Sequence, residues 1–555
     1  VTDIDGQHVV QAADDFARWS AAADAIRATP KRLEKLAVLG TYLPSLDDGS
    51  LEIAAHFFSG IVFPRHDQRT TQVGGSILWS ALAELTGADD ETLSEAYTRH
   101  GDIGDMVGDV LASHPSRHQS LRWMADQFGA LAAAGGTGAR RILVRDVLSV
   151  LGANEARYFS KLIGGELRIG LKEAQVEEAI ARAFARSLSA VRHANLLRGD
   201  IGEVALLARR DELASATLAL FHPLGFMLAQ PMATPAEIVA AMPSPFIVED
   251  KYDGIRAQAH VDGDEVRLYS RTLDDITHGY PDVCSALRGL GTGLVMDGEL
   301  LAVDTANPRR AQAFSVLQRR LGRKQPTSAL MSEIPAAFVA YDILAAKHAL
   351  VIGEPYKKRR MRLEALSWPA IGAFVAPNTF LSSEAELETA FERARQASNE
   401  GIVVKDPDSA YTPGRRGKAW IKLKRALATL DVVVTGVERG HGRRNGVLSD
   451  YTFAVRTSES DPTLLNVGKA YNGLTDVEIA ALTEHFKAIT TQQFGRYHAV
   501  RPEVVLEVTF DVVQRSARHK AGYALRFPRI VRVRDDKPAS EIDTLQRVRE
   551  LAGDG

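Results

Sequence analysis

The sequence is short of the residues and patterns that announce many common chemistries. It holds one cysteine, Cys284, which excludes an internal disulfide framework and any four-cysteine zinc site contained in the chain. No apolar run reaches the roughly 18 residues that span a bilayer. The acidic opening VTDIDGQHVVQAADD lacks the basic segment and apolar stretch of a secretory signal. A cytoplasmic protein without membrane association is therefore expected. Gly417-Lys418-Ala419 and Gly468-Lys469-Ala470 lack the Ser/Thr and upstream glycine of a P-loop, Gly440 to Gly446 misses the GxGxxG spacing, and neither HExxH nor GxSxG occurs. The 67 basic and 70 acidic residues leave a net −3, so any affinity for nucleic acid must come from local clusters. Such clusters occur at Arg309, Arg310, Arg319, Arg320, Arg323 and Lys324, at Lys357 to Arg360 with Arg362, and from Arg515 to Arg534. Each taken alone reads as solvated surface; several in one half of the chain point to a polyanion.

What is present is a multidomain globular composition. At 555 residues, with 45% hydrophobic and 25% charged residues, the chain divides into roughly three or four domains of ~100–200 residues. Residues 1–225 are rich in Ala and Leu at helical spacing, as in EAQVEEAIARAFARSLSAVRHANLL, and predict an all-α domain. Prolines gather from Pro223 to Phe246 and the pattern turns to short β-branched runs, which predicts an α+β domain over 226–427. Its expected elements include a hairpin around Asp262-Gly263 and a helix opened by the capping box Ser383-x-x-Glu386. Residues 428–555 read as short strands with glycine turns, suited to a small β-barrel such as an OB-fold.

Candidate chemistry begins in EDKYDGIRAQAH. If the segment is extended, Glu249, Lys251 and Asp253 share one side. A protonated lysine is a poor nucleophile, so Lys251 needs burial or nearby cations to act as one, and its acidic neighbours would have to be occupied, for instance by Mg2+. Asp297 and Glu299 in MDGELL share a strand face, and Glu400 opens EGIVVK; oxygen donors on separate strands suit Mg2+ bound together with substrate phosphates. WIKLK aims Lys422 and Lys424 the same way, toward a phosphate or toward solvent. Singly, each motif has a plain structural reading as a salt-bridged strand edge.

The ordered set is more specific. KYDGIR, Ser270-Arg271, DGE, YDIL at Tyr341, EGIVVK and WIKLK, over residues 249–424, resemble the motif series of covalent nucleotidyltransferases. RVRDDK, Arg532 to Lys537, resembles the element that closes the OB domain of ATP-dependent DNA ligases. GGELRIGLKEAQVEEAIARA and YLPSLDDGSLEIAAHFFSG look like parts of the helical DNA-binding domain of multidomain ligases. The chain is identified as a member of the ATP-dependent DNA ligases of the replicative or repair type, in a bacterial version.

The resemblance implies a helical DNA-binding domain, an ATP-grasp-like adenylation domain and an OB-fold. It implies ATP and Mg2+ (or Mn2+) as cofactors, nicked duplex DNA as partner, a monomer, and recruitment by a sliding clamp or repair protein. By it, Lys251 becomes lysyl-AMP; Glu249 accepts from the adenine amino group and Tyr341 stacks on the base, where the family has phenylalanine. Arg256 and Arg271 contact phosphate and ribose, Arg416 is a further phosphate contact with Arg415 as competitor, and Lys422 and Lys424 hold the α-phosphate. Glu299 and Glu400 bind the metal, with Asp253 and Asp297 in support. Arg534 and Lys537 reach the pyrophosphate, while Arg168 and Gly170 approach the duplex backbone. Two other readings stay open: an RNA ligase or capping-type guanylyltransferase, against which the helical third argues, and a non-catalytic nick-binding protein that keeps the fold. The single cysteine disfavours an NAD-dependent ligase, whose family carries a zinc finger.

Overall fold

The computed structural model describes residues 14–553 except 324, 398, 424–428, 441–443 and 445. Two compact units divide the chain. One comprises the residues through Leu93 and those from Val107 to Lys424; the other comprises Ser94–Met106 and the residues after Lys424.

Apart from the stretch Ser94–Met106, the first unit begins with helices from Phe16–Ala28 to Ile201–Arg210. Three of them start at acidic caps: Asp15 accepts from Ala17, Asp47 from Ser50, and Asp200 from Gly202 and Glu203. The helices close on an aromatic core of Trp19, Phe57, Phe58, Phe128, Tyr158 and Phe159, with edge-to-face pairs such as Trp19–Tyr158 at 5.8 Å. Among the described residues, no helix is long and apolar enough to cross a membrane.

Two sheets follow within the same unit. The first runs in the order Leu228–Met232, Arg416–Leu423, Gly401–Lys405, Phe246–Lys251, Asn378–Leu381. The second runs Glu265–Ser270, Ile255–Asp262, Leu294–Ala302, Ala336–Ala346, Ala349–Leu350, with Ala373–Val375 parallel to Ala336–Ala346. The chain leaves the first sheet at Lys251 and enters the second at Ile255, so Tyr252-Asp253-Gly254 is the crossing between them. This overturns the strand-parity placement of Asp253, because extended pairing stops two residues before it.

The hairpin occurs, but Asp262 pairs with Glu265, so its two loop residues are Gly263 and Asp264, with Gly263 at φ +61°. The capping box of helix Glu384–Gln396 forms as its spacing predicts. Three members of the two basic clusters in this unit are structural, while Arg309, Arg310, Arg319, Arg323, Lys357, Lys358 and Arg362 are exposed. Arg359 is fully buried and bidentate to buried Asp342 at 2.8 and 2.8 Å, and Arg360 is bound to Glu249. Arg320 is buried on Asp282, also at 2.8 and 2.8 Å. The basic reading fails at these positions because a guanidinium with a carboxylate partner can be placed inside the protein.

The second unit is built on the long strand Thr429–Arg439. It pairs with Leu448–Arg456 on one side; on the other it pairs with Val505–Thr509 along its first half and Tyr497–Val500 along its second. Leu464–Ala470, Thr490–Phe494 and Arg529–Val533 extend this antiparallel sheet, and bulges at Val434/Gly436 and Glu438/Arg439 bend it. Helix Asp476–Ile489 closes over the core of Val434, Phe453, Phe486 and Leu506.

Removing one partner of a buried ion pair strands the other charge. Arg359→Ala is therefore expected to destabilise the first unit by about 3–5 kcal/mol in a denaturant titration. A change below about 1 kcal/mol would show that Asp342 does not depend on this partner.

Candidate active site

A cavity of about 200 Å³ lies beside the crossing. Glu249 and Lys251 reach it from one strand of the first sheet, Val403 and Lys405 from the next, and Arg416, Trp420 and Lys422 from the one beyond. These rows match the register, in which Glu249 pairs with Val403, Val403 with Lys422, and Lys405 with Trp420. Intervening residues Ile402, Val404, Ile421 and Leu423 are fully buried on the opposite face, as the two-residue period of a strand requires. Arg256, Glu299 and Tyr341 come from the second sheet, and Arg271 follows its strand Glu265–Ser270.

Gly254 explains the KYDG spacing. A Cβ there would lie 2.4 Å from the Leu300 carbonyl oxygen and 2.6 Å from Leu301 Cδ2, so only glycine lets the crossing pass so close to strand Leu294–Ala302. Lys251 forms an ion pair with Glu400, whose backbone N–H donates to the Lys251 carbonyl at 2.8 Å. Glu299 sits opposite Arg256 in the strand register. Burial pushes the Glu299 carboxyl up to about 8, against the pull of Lys251 and Arg256, and the negative charges of Glu400 and Asp297 add to the rise.

The structure changes several expected roles. Arg256 directs Nε and Nη2 at Asp297, at 3.1 and 2.7 Å, so its paired donors are engaged within the protein and cannot both grip a phosphate. Asp297 is buried and also accepts from the Tyr411 hydroxyl at 2.7 Å; it holds Arg256 in the wall, over the rings of Phe226 and Tyr341. Between the two competing arginines, Arg416 lines this cavity, whereas Arg415 lines a different one with Gly225 and Lys172. Asp253 is not among the lining residues, and Lys424 lies outside the described residues.

In the helical part, Arg168 is paired with Glu166 at 3.0 Å. Gly170 has φ +65°, and a Cβ on it would meet Lys35 Nζ at 2.5 Å, while Lys35 donates to the carbonyls of Ile169 and Gly170. The local fold thus accounts for this glycine. In the second unit, Arg534 Nη1 lies 3.0 Å from both Asp431 oxygens, and Lys537 Nζ lies 2.7 Å from one of them.

Four residues escaped the sequence reading. Lys405, 1% exposed, donates to Glu249 at 2.7 Å and stands over the rings of Tyr341, Tyr356 and Trp420 at 4.8, 4.6 and 4.3 Å. Burial lowers its ammonium from the ordinary lysine range, with Glu249 and Asp342 opposing. Tyr356 and Arg360 both bind Glu249 as well. For Lys405 and Trp420 a signal existed, since alternation in EGIVVK and WIKLK puts them on the side of Val403 and Lys422. Tyr356 and Arg360 come from helix Tyr356–Glu364, and nothing local to that helix points to the site.

Two sheets meeting at a lysine-bearing crossing, beside a cationic cavity with aromatic walls, define a nucleotidyltransferase. Family models agree along the chain: one described as DNA ligase N terminus matches residues 15–181, ATP dependent DNA ligase domain matches 226–424, and ATP dependent DNA ligase C terminal region matches 444–537. A protein of Koribacter versatilis named "Probable DNA ligase" is 47% identical, over 95% of each chain. A "DNA ligase" of Methanoculleus marisnigri is 36% identical, over 97% of this chain and 98% of its own. A solved structure titled "Pmar-Lig_Pre." shares the fold, with TM-score 0.59 and 15% identity, over 93% of this chain and 99% of that one. The chain belongs to the ATP-dependent DNA ligase family, and it is a covalent nucleotidyltransferase that seals nicked DNA.

Gly254→Ala is expected to push the crossing off strand Leu294–Ala302 and to slow protein adenylation by at least about tenfold, equivalent to about 1.4 kcal/mol in the barrier. Helical content by circular dichroism should remain unchanged. An alanine variant that adenylates at the normal rate would show that the close approach to Leu300 is not required.

Proposed function

We propose that Lys251 is the residue that carries AMP. The observation that supports this most directly is its position: it ends a strand at the crossing of the two sheets, in one cavity with Glu249, Arg256, Glu299, Tyr341 and Lys422. Lys251 Nζ, once deprotonated, forms a bond to the α-phosphorus of ATP as the bond from that phosphorus to the bridging oxygen breaks, and pyrophosphate leaves. The AMP then passes from Nζ to the 5′-phosphate of a nick. The 3′-hydroxyl attacks that activated phosphate, joins the strands and releases AMP. Each step is an in-line displacement in which positioning and charge neutralisation supply most of the rate.

Lys422 holds the α-phosphate, with Lys424 as its partner, and Arg271 and Arg416 reach ribose and phosphate oxygens. Tyr341 stacks on the adenine, and Glu249 accepts from its amino group. Glu299 and Glu400 are hard oxygen donors that both interact with Lys251, which suits Mg2+ or Mn2+ held by one or two carboxylates plus substrate phosphates. Such a cation, when bound, neutralises charge building up on the phosphate oxygens. It would also favour the ionised form of Glu299, which burial alone disfavours.

Arg534 and Lys537, which pair with Asp431, serve the first step by meeting the pyrophosphate half of ATP. The bent antiparallel sheet of the second unit is consistent with an OB-type barrel, which would turn between the adenylation and sealing steps about a hinge near Arg425 to Asp431. Most of that hinge lies outside the described residues. Arg168 and Gly170 lie along the duplex backbone, so binding to nicked DNA should weaken steeply with salt. The reading is of a cytoplasmic monomer that acts on nicked duplexes in replication or repair, recruited by a sliding clamp or a repair protein.

With ATP labelled in the α-phosphate, the protein should retain label through denaturation, and Lys251→Ala should retain none; label on the alanine variant would refute the assignment. Chelation with EDTA should stop labelling, and added Mg2+ or Mn2+ should restore it. Lys422→Ala should slow labelling by at least about tenfold while nicked-DNA affinity in a gel shift changes by less than about threefold. Arg534→Ala and Lys537→Ala should fail at labelling yet still seal a pre-adenylated nick; failure at both stages would remove their proposed role.

A further inference from the structure

We infer that Lys405 is a positioning residue that turns the adenine side of the cavity into a surface of acceptors only, and thereby selects a 6-amino purine over a 6-oxo purine. The inference rests on Glu249 as the group that reads the base. It follows from a count of donors and acceptors around that carboxylate. Lys405 Nζ has three N–H bonds and three acceptors within reach: Glu249 Oε2 at 2.7 Å, the Tyr341 carbonyl at 3.1 Å and the Tyr356 hydroxyl oxygen at 3.1 Å. The Tyr356 hydroxyl has one proton, shared between Glu249 Oε1 and the Tyr341 carbonyl at 3.0 Å. Arg360 is engaged by Glu249 Oε1 at 3.0 Å, by Glu364 at 2.7 Å and by the Ala376 carbonyl.

The N–H and O–H bonds of Lys405 and Tyr356 are therefore committed to Glu249, to the Tyr341 carbonyl or to each other. Three of the five Arg360 N–H bonds go to Glu249, Glu364 and the Ala376 carbonyl, and the carboxylate between two cations offers only lone pairs. Oε1 takes two of these donors and Oε2 one, so acceptor capacity remains on Oε2, and Glu249 lines the cavity. An exocyclic amino group can donate to Oε2. A 6-oxo group in the same place would set acceptor against acceptor, with neither Lys405 nor Tyr356 holding a spare proton to relieve it. Removing the Lys405 amine undoes this arrangement at two points. Oε2 loses the contact that orients it, and the Tyr356 hydroxyl loses its donor and becomes free to turn.

The test is self-adenylation of the full chain with ATP, inosine triphosphate and purine riboside triphosphate, read as kcat/KM for each. The unaltered protein should prefer ATP to inosine triphosphate by about a hundredfold or more, since a site built to accept a hydrogen bond rejects a partner that cannot supply it. Lys405→Met should lower that preference at least about tenfold, with a larger loss on ATP than on purine riboside triphosphate. A purely structural role would slow all three nucleotides by one factor and leave the ratios intact, which would overturn the inference. So would an unaltered protein that discriminates less than about threefold.

Glu249→Gln separates the two layers. If it collapses the ratio and Lys405→Met does not, only the role of Lys405 is lost; if neither changes the ratio, Glu249 is not the base reader. Should Lys405→Met fail to fold, Tyr356→Phe removes the bridging hydroxyl with little change in volume. It is expected to lower the ratio at least about threefold, and an unchanged ratio there overturns the inference.

Discussion

The site depends on one close approach: the backbone at Gly254 runs against strand Leu294–Ala302, where a Cβ would stand 2.4 Å from a carbonyl oxygen. That contact lets the chain leave one sheet after Lys251 and join the other at Ile255 within three residues. The short link puts the end of strand Phe246–Lys251 at the junction of two sheets. One sheet then contributes Lys405, Trp420 and Lys422, and the other Arg256, Glu299 and Tyr341, to a single cavity.

Around this cavity lie three carboxylates buried on three different strands, each matched by a cation. Asp297 holds Arg256, Asp342 holds Arg359, and Glu249 is shared by Lys405 and Arg360. Taking such charges out of water costs several kcal/mol per ion, so pairs of this kind add little to stability for their own sake. What they supply is fixed direction. A bidentate guanidinium or a saturated ammonium leaves its carboxylate few alternative orientations, and the cavity wall inherits that rigidity. Outside this network of three carboxylates, the cavity is lined by Lys251, Glu299, Arg271, Arg416 and Lys422.

Much of the site was legible from strand alternation. Glu249 with Lys251, Asp297 with Glu299, and Lys422 opposite Ile421 and Leu423 all follow from a two-residue period. Asp253 did not follow, because the strand ends at Lys251 and parity has no meaning across a turn. Arg256 was read as a phosphate ligand because a guanidinium suits an oxyanion; its actual partner, Asp297, is 41 residues away in sequence and becomes a neighbour only when Ile255–Asp262 pairs with Leu294–Ala302. The run KKRR looked like a polyanion-binding patch, yet a helix in contact with strand Ala336–Ala346 turns Arg359 and Arg360 inward to Asp342 and Glu249.

The sequence by itself determined the family, the order of the motifs and the residues whose chemistry is local to a strand: a lysine between acidic positions, a glycine directly after an aspartate, and two lysines on one face. Only the tertiary structure decided which charges remain available. Ion pairing between strands far apart in sequence takes Arg256, Arg320, Arg359 and Arg360 into the interior, and it gathers Lys405, Tyr356 and Arg360 around Glu249. A charged side chain is defined by its partner as much as by its type, and partners are set by the register and packing of strands and helices that no local pattern encodes.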